Sequence, residues 1–373
     1  MIYLDYAATS PMSMNAIKAY AEAAEKAPGN SSSLHDIGGR AAELLEASRH
    51  AIASCLGGDP KGIYFTGCGS EASILAIVSL LNGVADPKKR EIIYSAMEHS
   101  SITNFMAHLE GHGYIVKKAL PDGSGRITSE QLSPLLTENT ALVTIQHGNS
   151  ETGIVQDIGP LCHSLKERGI LFHSDCVQTF CKIPIEVKEW NLDAVSISAH
   201  KICGPKGIGA AWINPGTAWK PALPGTTHEK GFRGGTADVP GACSFAVAAK
   251  ELSGSMSQNA SRLKELRAYL KRQLRAAGIK AEFAEGEDPY QLPGIAGLIL
   301  EKTEGQYALL TCNQRGIAIS AGSACQAGMQ KPSAAVVSLG YSDEEALRFI
   351  RVSMAPSTAE AELLAFTNAL SAC

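Results

Sequence analysis

The chain has 373 residues, of which 45% are hydrophobic and 19% charged, and its formal net charge is -4. This length predicts one large and one smaller domain, since a domain usually holds about 100–200 residues. The composition allows a sizeable core and excludes a disordered chain. The slightly acidic balance argues against a nucleic-acid-binding surface, so we expect no nucleic-acid partner.

The start of the chain and its cysteines indicate the compartment. Residues 1–10 lack a positively charged beginning and contain Asp5, so they do not resemble a secretion signal. The longest apolar stretch, near residues 74–81, is well short of the roughly 20 residues that a membrane span needs. The 10 cysteines are scattered without a Cys-x-x-Cys pair, which predicts reduced thiols and no metal site. We therefore expect a cytoplasmic protein with no membrane partner.

Between about residues 60 and 215, short β-rich runs alternate with helical patterns. Several runs are apolar on consecutive residues, which is typical of strands buried on both faces of a mainly parallel sheet. Strands separated by helices predict a doubly wound α/β domain. The predicted strands cover residues 62–66, 91–95, 114–117, 141–146, 170–174, 194–198 and 209–213, and the predicted helices cover 71–81, 129–136 and 159–168.

The pattern changes after residue 240. Residues 261–277 place leucines on one face and basic residues on the other, and Gly278 follows, which predicts an amphipathic helix that ends there. We expect this helix to join the large domain to a smaller α+β domain. The predicted limits are 15–255 for the large domain, and 1–14 together with 256–373 for the small one.

Two charged residues stand at the ends of predicted strands. Asp175 follows the strand 170–174, and Lys201 comes soon after the strand 194–198. In open parallel sheets, ligands bind outside the carboxyl ends of the strands. A lysine there can hold the aldehyde of pyridoxal phosphate (PLP) as a Schiff base, and an aspartate can keep the pyridine nitrogen protonated. The pair therefore predicts a PLP enzyme, with Lys201 also moving protons on the substrate.

Other polar residues follow strands in the same way and predict the rest of the site. Residues 67–71 open a helix after a strand, where backbone amides and the helix dipole favour a phosphate. Gln178 is predicted to donate to the phenolic oxygen of the ring, and His99 to lie against the ring face and assist proton transfer. A lone histidine or aspartate is more often a packing residue or a helix cap, so the prediction depends on all of these residues meeting at one sheet edge. The predicted phosphate ligands are the amide of Gly69 and the side chains of Ser70, Ser198 and His200.

Longer stretches match one family in order, across nearly the whole chain. They include YLDYAAT at 3–9, ETGIVQD at 151–157, FHSDCVQ at 172–178, SAHKICGPKGIG at 198–209, HEKGFRGGT at 228–236 and GSAC at 322–325. With these stretches the chain resembles the cysteine desulfurases of the class V aminotransferase group, specifically the NifS/IscS-like branch. The resemblance implies a PLP-dependent transferase of fold type I that forms a homodimer, takes sulfur from L-cysteine and leaves L-alanine.

The resemblance also implies roles for individual residues. Lys201 matches the Schiff-base lysine, Asp175 the partner of the pyridine nitrogen, and His99 the histidine that stacks on the ring. Thr236 matches a threonine that reaches the phosphate bound by the neighbouring subunit. Arg351 matches the arginine that grips the substrate carboxylate, a task that suits a planar guanidinium.

Cys325 matches the family's nucleophile. It lies among Gly322, Ser323 and Ala324, and such a small-residue loop allows a thiolate to attack the substrate sulfur and carry a persulfide outward. The implied recipient is a sulfur-acceptor protein, either an iron–sulfur scaffold or a tRNA-thiolation protein.

Some positions depart from the family pattern. Ser150 stands where the family usually has a second asparagine near the phenolic oxygen of the cofactor, and Asn149 keeps the first. We expect Ser150 to contact the cofactor and Asn149 the substrate. Cys68 replaces a common glycine in the phosphate loop and Cys203 an aromatic residue after the lysine, which suggests a diverged member.

Two alternatives stay open at this point. A selenocysteine lyase, or another class V enzyme such as an aminotransferase, would share the fold without requiring Cys325. A catalytically silent scaffold is the other alternative, although it would most naturally have lost Lys201. The variant Cys325→Ala separates the first alternative from a desulfurase, because only a desulfurase would lose sulfide release.

Overall fold

A computed structural model describes residues 1–322 and 332–371. The strands are β1 (Ile2–Tyr3), β2 (Ile63–Thr66), β3 (Glu91–Ser95), β4 (Ile115–Ala119), β5 (Thr140–Thr144), β6 (Leu171–Asp175), β7 (Ala194–Ser198), β8 (Gly209–Ile213), β9 (Ala281–Phe283), β10 (Ile295–Leu300), β11 (Ile317–Ala318) and β12 (Phe349–Ser353). The α-helices are α1 (Met14–Lys26), α2 (Asp36–Cys55), α3 (Gly69–Gly83), α4 (Ser100–Gly111), α5 (Ser129–Leu132), α6 (Ile158–Glu167), α7 (Val239–Gly254), α8 (Met256–Ala276), α9 (Gly305–Gln314), α10 (Ala334–Ser338), α11 (Asp343–Leu347) and α12 (Glu360–Leu370).

Seven strands form the main sheet, in the order β2-β8-β7-β6-β5-β3-β4. Strands β3 to β7 pair in parallel with their neighbours, whereas β8 is antiparallel to both β7 and β2. All seven predicted strands are present, and their ends differ from the prediction by no more than two residues. Strands β2, β3, β5, β7 and β8 are buried along their whole length, as their continuous apolar sequences indicate.

Helices cover both faces of this sheet. Alternate residues of a strand point to opposite faces, so each strand contributes side chains to both cores. On one face, Ile63 and Phe65 of β2 pack in a core with Ile52 of α2 and Phe245 of α7. On the other, Tyr64 packs in a core that includes side chains of α3 and α4. The doubly wound α/β fold that the sequence predicts is confirmed.

A second sheet has three antiparallel strands, in the order β12-β10-β9. Leu266, Leu270 and Leu274 of α8 are buried in its core, together with side chains of α12. The amphipathic helix thus begins five residues earlier than predicted, at Met256, and ends one residue earlier, at Ala276. Strand β1 pairs with β11 beside this core. The exact domain limits stay a prediction.

Other helices also differ from the predictions. The helix predicted at 129–136 ends at Leu132, because Pro134 disfavours a helical conformation at the preceding residue and has no N–H to donate. We made no prediction for α1, α2 and α7. In the structure, α7 packs against both α1 and α2 beside the main sheet. Within residues 1–322 and 332–371, no helix combines the length and apolar character needed to cross a bilayer.

Candidate active site

A cavity of about 220 Å³ lies at the carboxyl ends of the central parallel strands. The loops after β2, β3, β5, β6 and β7 form much of its wall, as the strand-end argument predicts. It brings together residues that are far apart in the sequence. The predicted site residues that line it are Gly69, Ser70, His99, Ser150, Asp175, Gln178, Ser198, His200, Lys201 and Arg351.

The lysine and the aspartate of the prediction both face this cavity. Lys201 ends a single 3-10 turn directly after β7, and its Nζ donates to the carbonyl oxygens of Ala7 at 2.6 Å and Ala8 at 2.7 Å. Asp175 is the last residue of β6, the parallel neighbour of β7, and its Oδ1 accepts from the amide of Val177 at 2.9 Å. Burial raises the pKa of Asp175, while the charges of His99 and Lys201 act in the opposite direction.

The loop between β2 and α3 forms one end of the cavity. Cys68 caps α3, with its Sγ accepting from the amide of Glu71 at 3.4 Å. A Cβ atom on Gly69 would lie only 2.8 Å from Cγ2 of Val177, so a glycine is needed for this close approach. Ser198 Oγ is buried nearby and has no hydrogen-bond partner among the described residues. A helix N-terminus beside a hydroxyl group that lacks a partner suits a phosphate.

His200 completes this end of the cavity. Its Nδ1 lies 3.1 Å from Oγ1 of Thr9. Burial lowers the pKa of His200 to about 4, and the charges of Lys201 and Lys182 contribute to the same shift. The imidazole is therefore neutral near pH 7 and acts on an anion as a hydrogen-bonding group.

His99 and Glu98 follow β3, and His99 lines the cavity. His99 caps α4, with its Nδ1 accepting from the amide of Ser101 at 3.2 Å. Glu98 is buried, and its Oε1 accepts from the amide of Gln146 at 2.6 Å. Burial and the carboxylate of Asp175 raise the pKa of Glu98 well above its usual value. We assigned Glu98 no role from the sequence, because its contact with Asp175 depends on the fold.

Arg351 enters the cavity from the smaller sheet. It lies on β12 and is buried, with Nη1 donating to the carbonyl of Ser150 at 2.9 Å and Nη2 to Oδ1 of Asp5 at 2.6 Å. Glu151 lies close by. Burial raises the pKa of Glu151, and the charges of Arg351 and His99 oppose that shift. Asp5 is a site residue that the sequence reasoning missed, since 346 positions separate it from Arg351.

Two predicted residues, Asn149 and Thr236, do not line the cavity. Asn149 is buried outside the cavity lining, where its Oδ1 accepts from the amide of Thr152 at 2.8 Å and its Nδ2 donates to the carbonyl of Met97 at 3.1 Å. Thr236 is exposed and does not line the cavity of its own chain. Cys325 lies outside the described residues. The roles given to these three residues stay predictions.

The chain belongs to the Aminotransferase class-V family, whose model matches residues 2–366. This family is PLP-dependent, so the predicted family, fold class and cofactor are confirmed. The chain is 47% identical over 365 residues to "Putative cysteine desulfurase NifS" of Bacillus subtilis (strain 168), covering 97% of this chain and 92% of that protein. It is 36% identical over 363 residues to "Cysteine desulfurase" of Trichormus azollae, covering 97% of this chain and 90% of that protein.

Solved structures show the same fold. A structure called "NIFS-LIKE PROTEIN" has a TM-score of 0.90 and 29% identity, covering 100% of this chain and 98% of that chain. Another, "SspA in complex with cysteine", has a TM-score of 0.82 and 30% identity, covering 96% of this chain and 100% of that chain.

The residues around the cavity fit PLP. A phosphate suits the N-terminus of α3, where Ser198 Oγ is buried without a partner among the residues described. A carboxylate, Asp175, and an amine, Lys201, face the same space. These are the groups that a pyridine nitrogen and an aldehyde require.

Proposed function

We propose that this protein is a PLP-dependent cysteine desulfurase, which converts L-cysteine to L-alanine and passes the sulfur as a persulfide on Cys325 to an acceptor protein. The observation that carries the proposal is a cavity lined by Lys201, Asp175 and Arg351 in a chain 47% identical to a protein named as a cysteine desulfurase. The structure "SspA in complex with cysteine" supports the substrate class, since that protein is 30% identical to this chain.

The proposed roles follow from the positions of the side chains. When bound, PLP supplies an aldehyde that links to amines and a ring that withdraws electrons from the substrate carbon. Lys201 would hold that aldehyde and would later move a proton at the substrate carbon. In the structure, its amine donates to the carbonyls of Ala7 and Ala8, which keep it at the cavity wall. Asp175 would keep the pyridine nitrogen protonated, and His99, which lines the same cavity, would hold the ring.

Arg351 is proposed to bind the carboxylate of cysteine. A guanidinium carries five N–H donors, and Arg351 uses one on the carbonyl of Ser150 and one on Asp5. Its Nε is buried and makes no hydrogen bond within the described residues. Donors therefore remain for a substrate carboxylate, and the two fixed contacts set the plane in which they point.

The sulfur carrier, the acceptor and the oligomeric state belong to the same proposal. Cys325 follows Gly322 and small residues in the sequence, as the family's nucleophile does. We infer a homodimer because Thr236 is exposed on its own subunit, where it is available to a phosphate in a second copy. Met14 and Ile17 of α1 are also exposed, by 66% and 43%, and a second copy would cover such apolar side chains. The acceptor is an iron–sulfur scaffold or a tRNA-thiolation protein, and the site of action is the cytoplasm.

The test measures sulfide and alanine released from cysteine by the wild type, Lys201→Ala and Cys325→Ala, each reconstituted with PLP. We expect Lys201→Ala to lose both products, and Cys325→Ala to bind PLP but release no sulfide. Unchanged turnover in Cys325→Ala would favour an enzyme that does not need this thiol, and a parallel assay with selenocysteine identifies a selenocysteine lyase.

A further inference from the structure

We propose that Lys182 is a positioning residue for the cofactor, because its ammonium group fixes the amide of Gln178 in the orientation that donates to the phenolic oxygen of the ring. This inference rests on the proposed function and on the role predicted for Gln178 from the sequence, a residue that lines the cavity. It gives a role to a residue that neither the strand-end argument nor the family resemblance singled out.

The amide of Gln178 is held at both of its polar atoms. Lys182 Nζ donates to Gln178 Oε1 at 3.3 Å, and Gln178 Nε2 donates to the carbonyl of Ala7 at 2.8 Å. These contacts leave the second N–H of Nε2 for the cavity, which Gln178 lines. A primary amide that flips exchanges its donor for its acceptor. With Lys182 in place, a flip would turn the NH₂ group toward an ammonium, so the flipped orientation is disfavoured.

The same contacts connect Lys182 to Lys201. The carbonyl of Ala7 accepts from Gln178 Nε2 at 2.8 Å and from Lys201 Nζ at 2.6 Å. Lys182, Gln178, Ala7 and Lys201 therefore form one continuous chain of hydrogen bonds, in which the position of the Gln178 amide is tied to that of the amine that holds the cofactor.

The surroundings of Lys182 do not favour a purely structural role. Lys182 lines a second cavity of about 90 Å³, which has a largely apolar wall and shares Ala7 and Lys201 with the main cavity. No carboxylate pairs with Lys182 within residues 1–322 and 332–371. Lys182 is only partly buried, yet desolvation lowers its pKa to about 8, so holding a cation at this position costs free energy. The titratable groups around it are Tyr6, Cys181, His200, Lys201, Cys203 and Arg351.

The experiment uses full-length protein reconstituted with PLP and follows the visible absorbance of the bound cofactor as a function of pH. Lys182→Met keeps the length of the side chain but removes the donor. We expect it to retain PLP and to shift the pH midpoint of the absorbance change upward by about half a unit or more, because loss of a hydrogen bond to the phenolic oxygen and of a nearby positive charge both favour the protonated form. Lys188→Met, an exposed lysine of the same segment, should leave the midpoint unchanged.

A double-variant cycle tests whether Lys182 acts through Gln178. We expect Gln178→Ala to shift the midpoint by itself, and Lys182→Met to shift it less in the Gln178→Ala background than in the wild type, because only the loss of the positive charge then remains. An equal shift with and without Gln178, or no shift in Lys182→Met, would overturn the proposal. If Lys182→Met does not fold, judged by circular dichroism, Lys182→Leu, which also lacks a donor, is measured in its place with the same expectation. A wild type that forms no visible band with PLP contradicts the proposed function itself, before any variant is compared.

Discussion

Buried Arg351 and partly buried Asp5 form an ion pair, with Nη2 of the arginine 2.6 Å from Oδ1 of the aspartate. The pair joins strand β12 to the segment that follows β1, and this segment also supplies the carbonyls of Ala7 and Ala8 that hold Lys201. The N-terminal segment therefore positions both the proposed substrate-binding cation and the proposed cofactor-binding amine.

Asp5→Asn is expected to raise the KM for cysteine by about tenfold, since a hydrogen bond between charged groups contributes roughly 1.5–3 kcal/mol. The expected change in kcat is smaller, because Arg351 binds the carboxylate rather than the reacting atoms. Steady-state alanine formation gives both constants. Asp86→Asn, an exposed aspartate that does not line the cavity, is the control. An unchanged KM in Asp5→Asn would contradict the proposed role of the pair.

Ser198→Ala is expected to weaken PLP binding by about tenfold, because it removes one hydrogen bond to a charged group. Equilibrium dialysis gives the Kd. Ser79 is a matched control, since its Oγ is also buried without a partner among the described residues but does not line the cavity. Ser79→Ala should leave the Kd unchanged. Equal Kd values for both variants would remove Ser198 from the phosphate site.

Gly69→Ala is expected to weaken PLP binding by about tenfold or more, because displacement of the loop disturbs several hydrogen bonds of about 1 kcal/mol each. The added methyl group would meet Val177 Cγ2 at 2.8 Å and Ser198 Cβ at 3.2 Å. Gly69→Ala combined with Val177→Ala should recover part of the affinity. Gly39→Ala, where nothing lies within 4 Å of the added atom, is the control. No recovery in the double variant would show that the close contact is not the cause.

The sequence predicted the main sheet and most of the cavity for one physical reason. Strands buried on both faces are continuous apolar runs, and polar residues directly after them stand at the sheet edge where ligands bind. Asp175, Ser198 and Lys201 all follow this rule. Asp5 and Lys182 do not follow this rule. The contact of Asp5 with Arg351 joins residues 346 positions apart. The contact of Lys182 with Gln178 depends on a local turn of the chain after β6.

Helix α7 shows why some elements were missed. Pro240 and Gly241 resemble a turn signal, yet Pro240 occupies the first turn of α7 and Asp238 caps it through the amide of Gly241, where a proline is tolerated. The helix is rich in small residues and packs against both α1 and α2. Since it is buried on more than one side, it lacks the polar stripe that marks a surface helix.

Because two histidines are buried, we expect the folded state to lose stability in acid. His147 and His173 are fully enclosed, and burial lowers the pKa of each to about 3. The ring nitrogens of His173 lie 2.8 Å from Oγ1 of Thr144 and 2.8 Å from Oγ of Ser196, with no carboxylate among these hydrogen-bond partners. The folded state keeps both rings neutral, whereas the unfolded chain binds protons below its ordinary histidine pKa of about 6.5.

The stability that His173 contributes is therefore complete above about pH 6.5 and is lost as the pH falls toward 3, with a slope of up to about 1.4 kcal/mol per pH unit. Burial raises the pKa values of Glu98 and Glu151. These two groups therefore make the folded state more stable as the pH falls, which is the opposite dependence. The measurement is thus the difference in unfolding free energy between the wild type and His173→Asn, from urea titrations between pH 5 and 8. We expect the difference to decrease below pH 6.5, and a constant difference would contradict a neutral, buried His173.

Asp175 and Glu98 are two neighbouring carboxyl groups for which we expect opposite results. Burial raises the pKa of both, but the charges of His99 and Lys201 oppose the shift only at Asp175. We therefore assign the negative charge to Asp175 and the proton to Glu98. Glu98→Gln resembles the protonated acid and keeps an oxygen that can accept from the amide of Gln146. We therefore expect its kcat to stay within about threefold of the wild type.

Asp175→Asn should lower kcat on the order of 100-fold or more, since it removes the charge proposed to keep the pyridine nitrogen protonated. Steady-state alanine formation with saturating PLP measures both variants. A loss in Glu98→Gln as large as in Asp175→Asn would place the charge on Glu98.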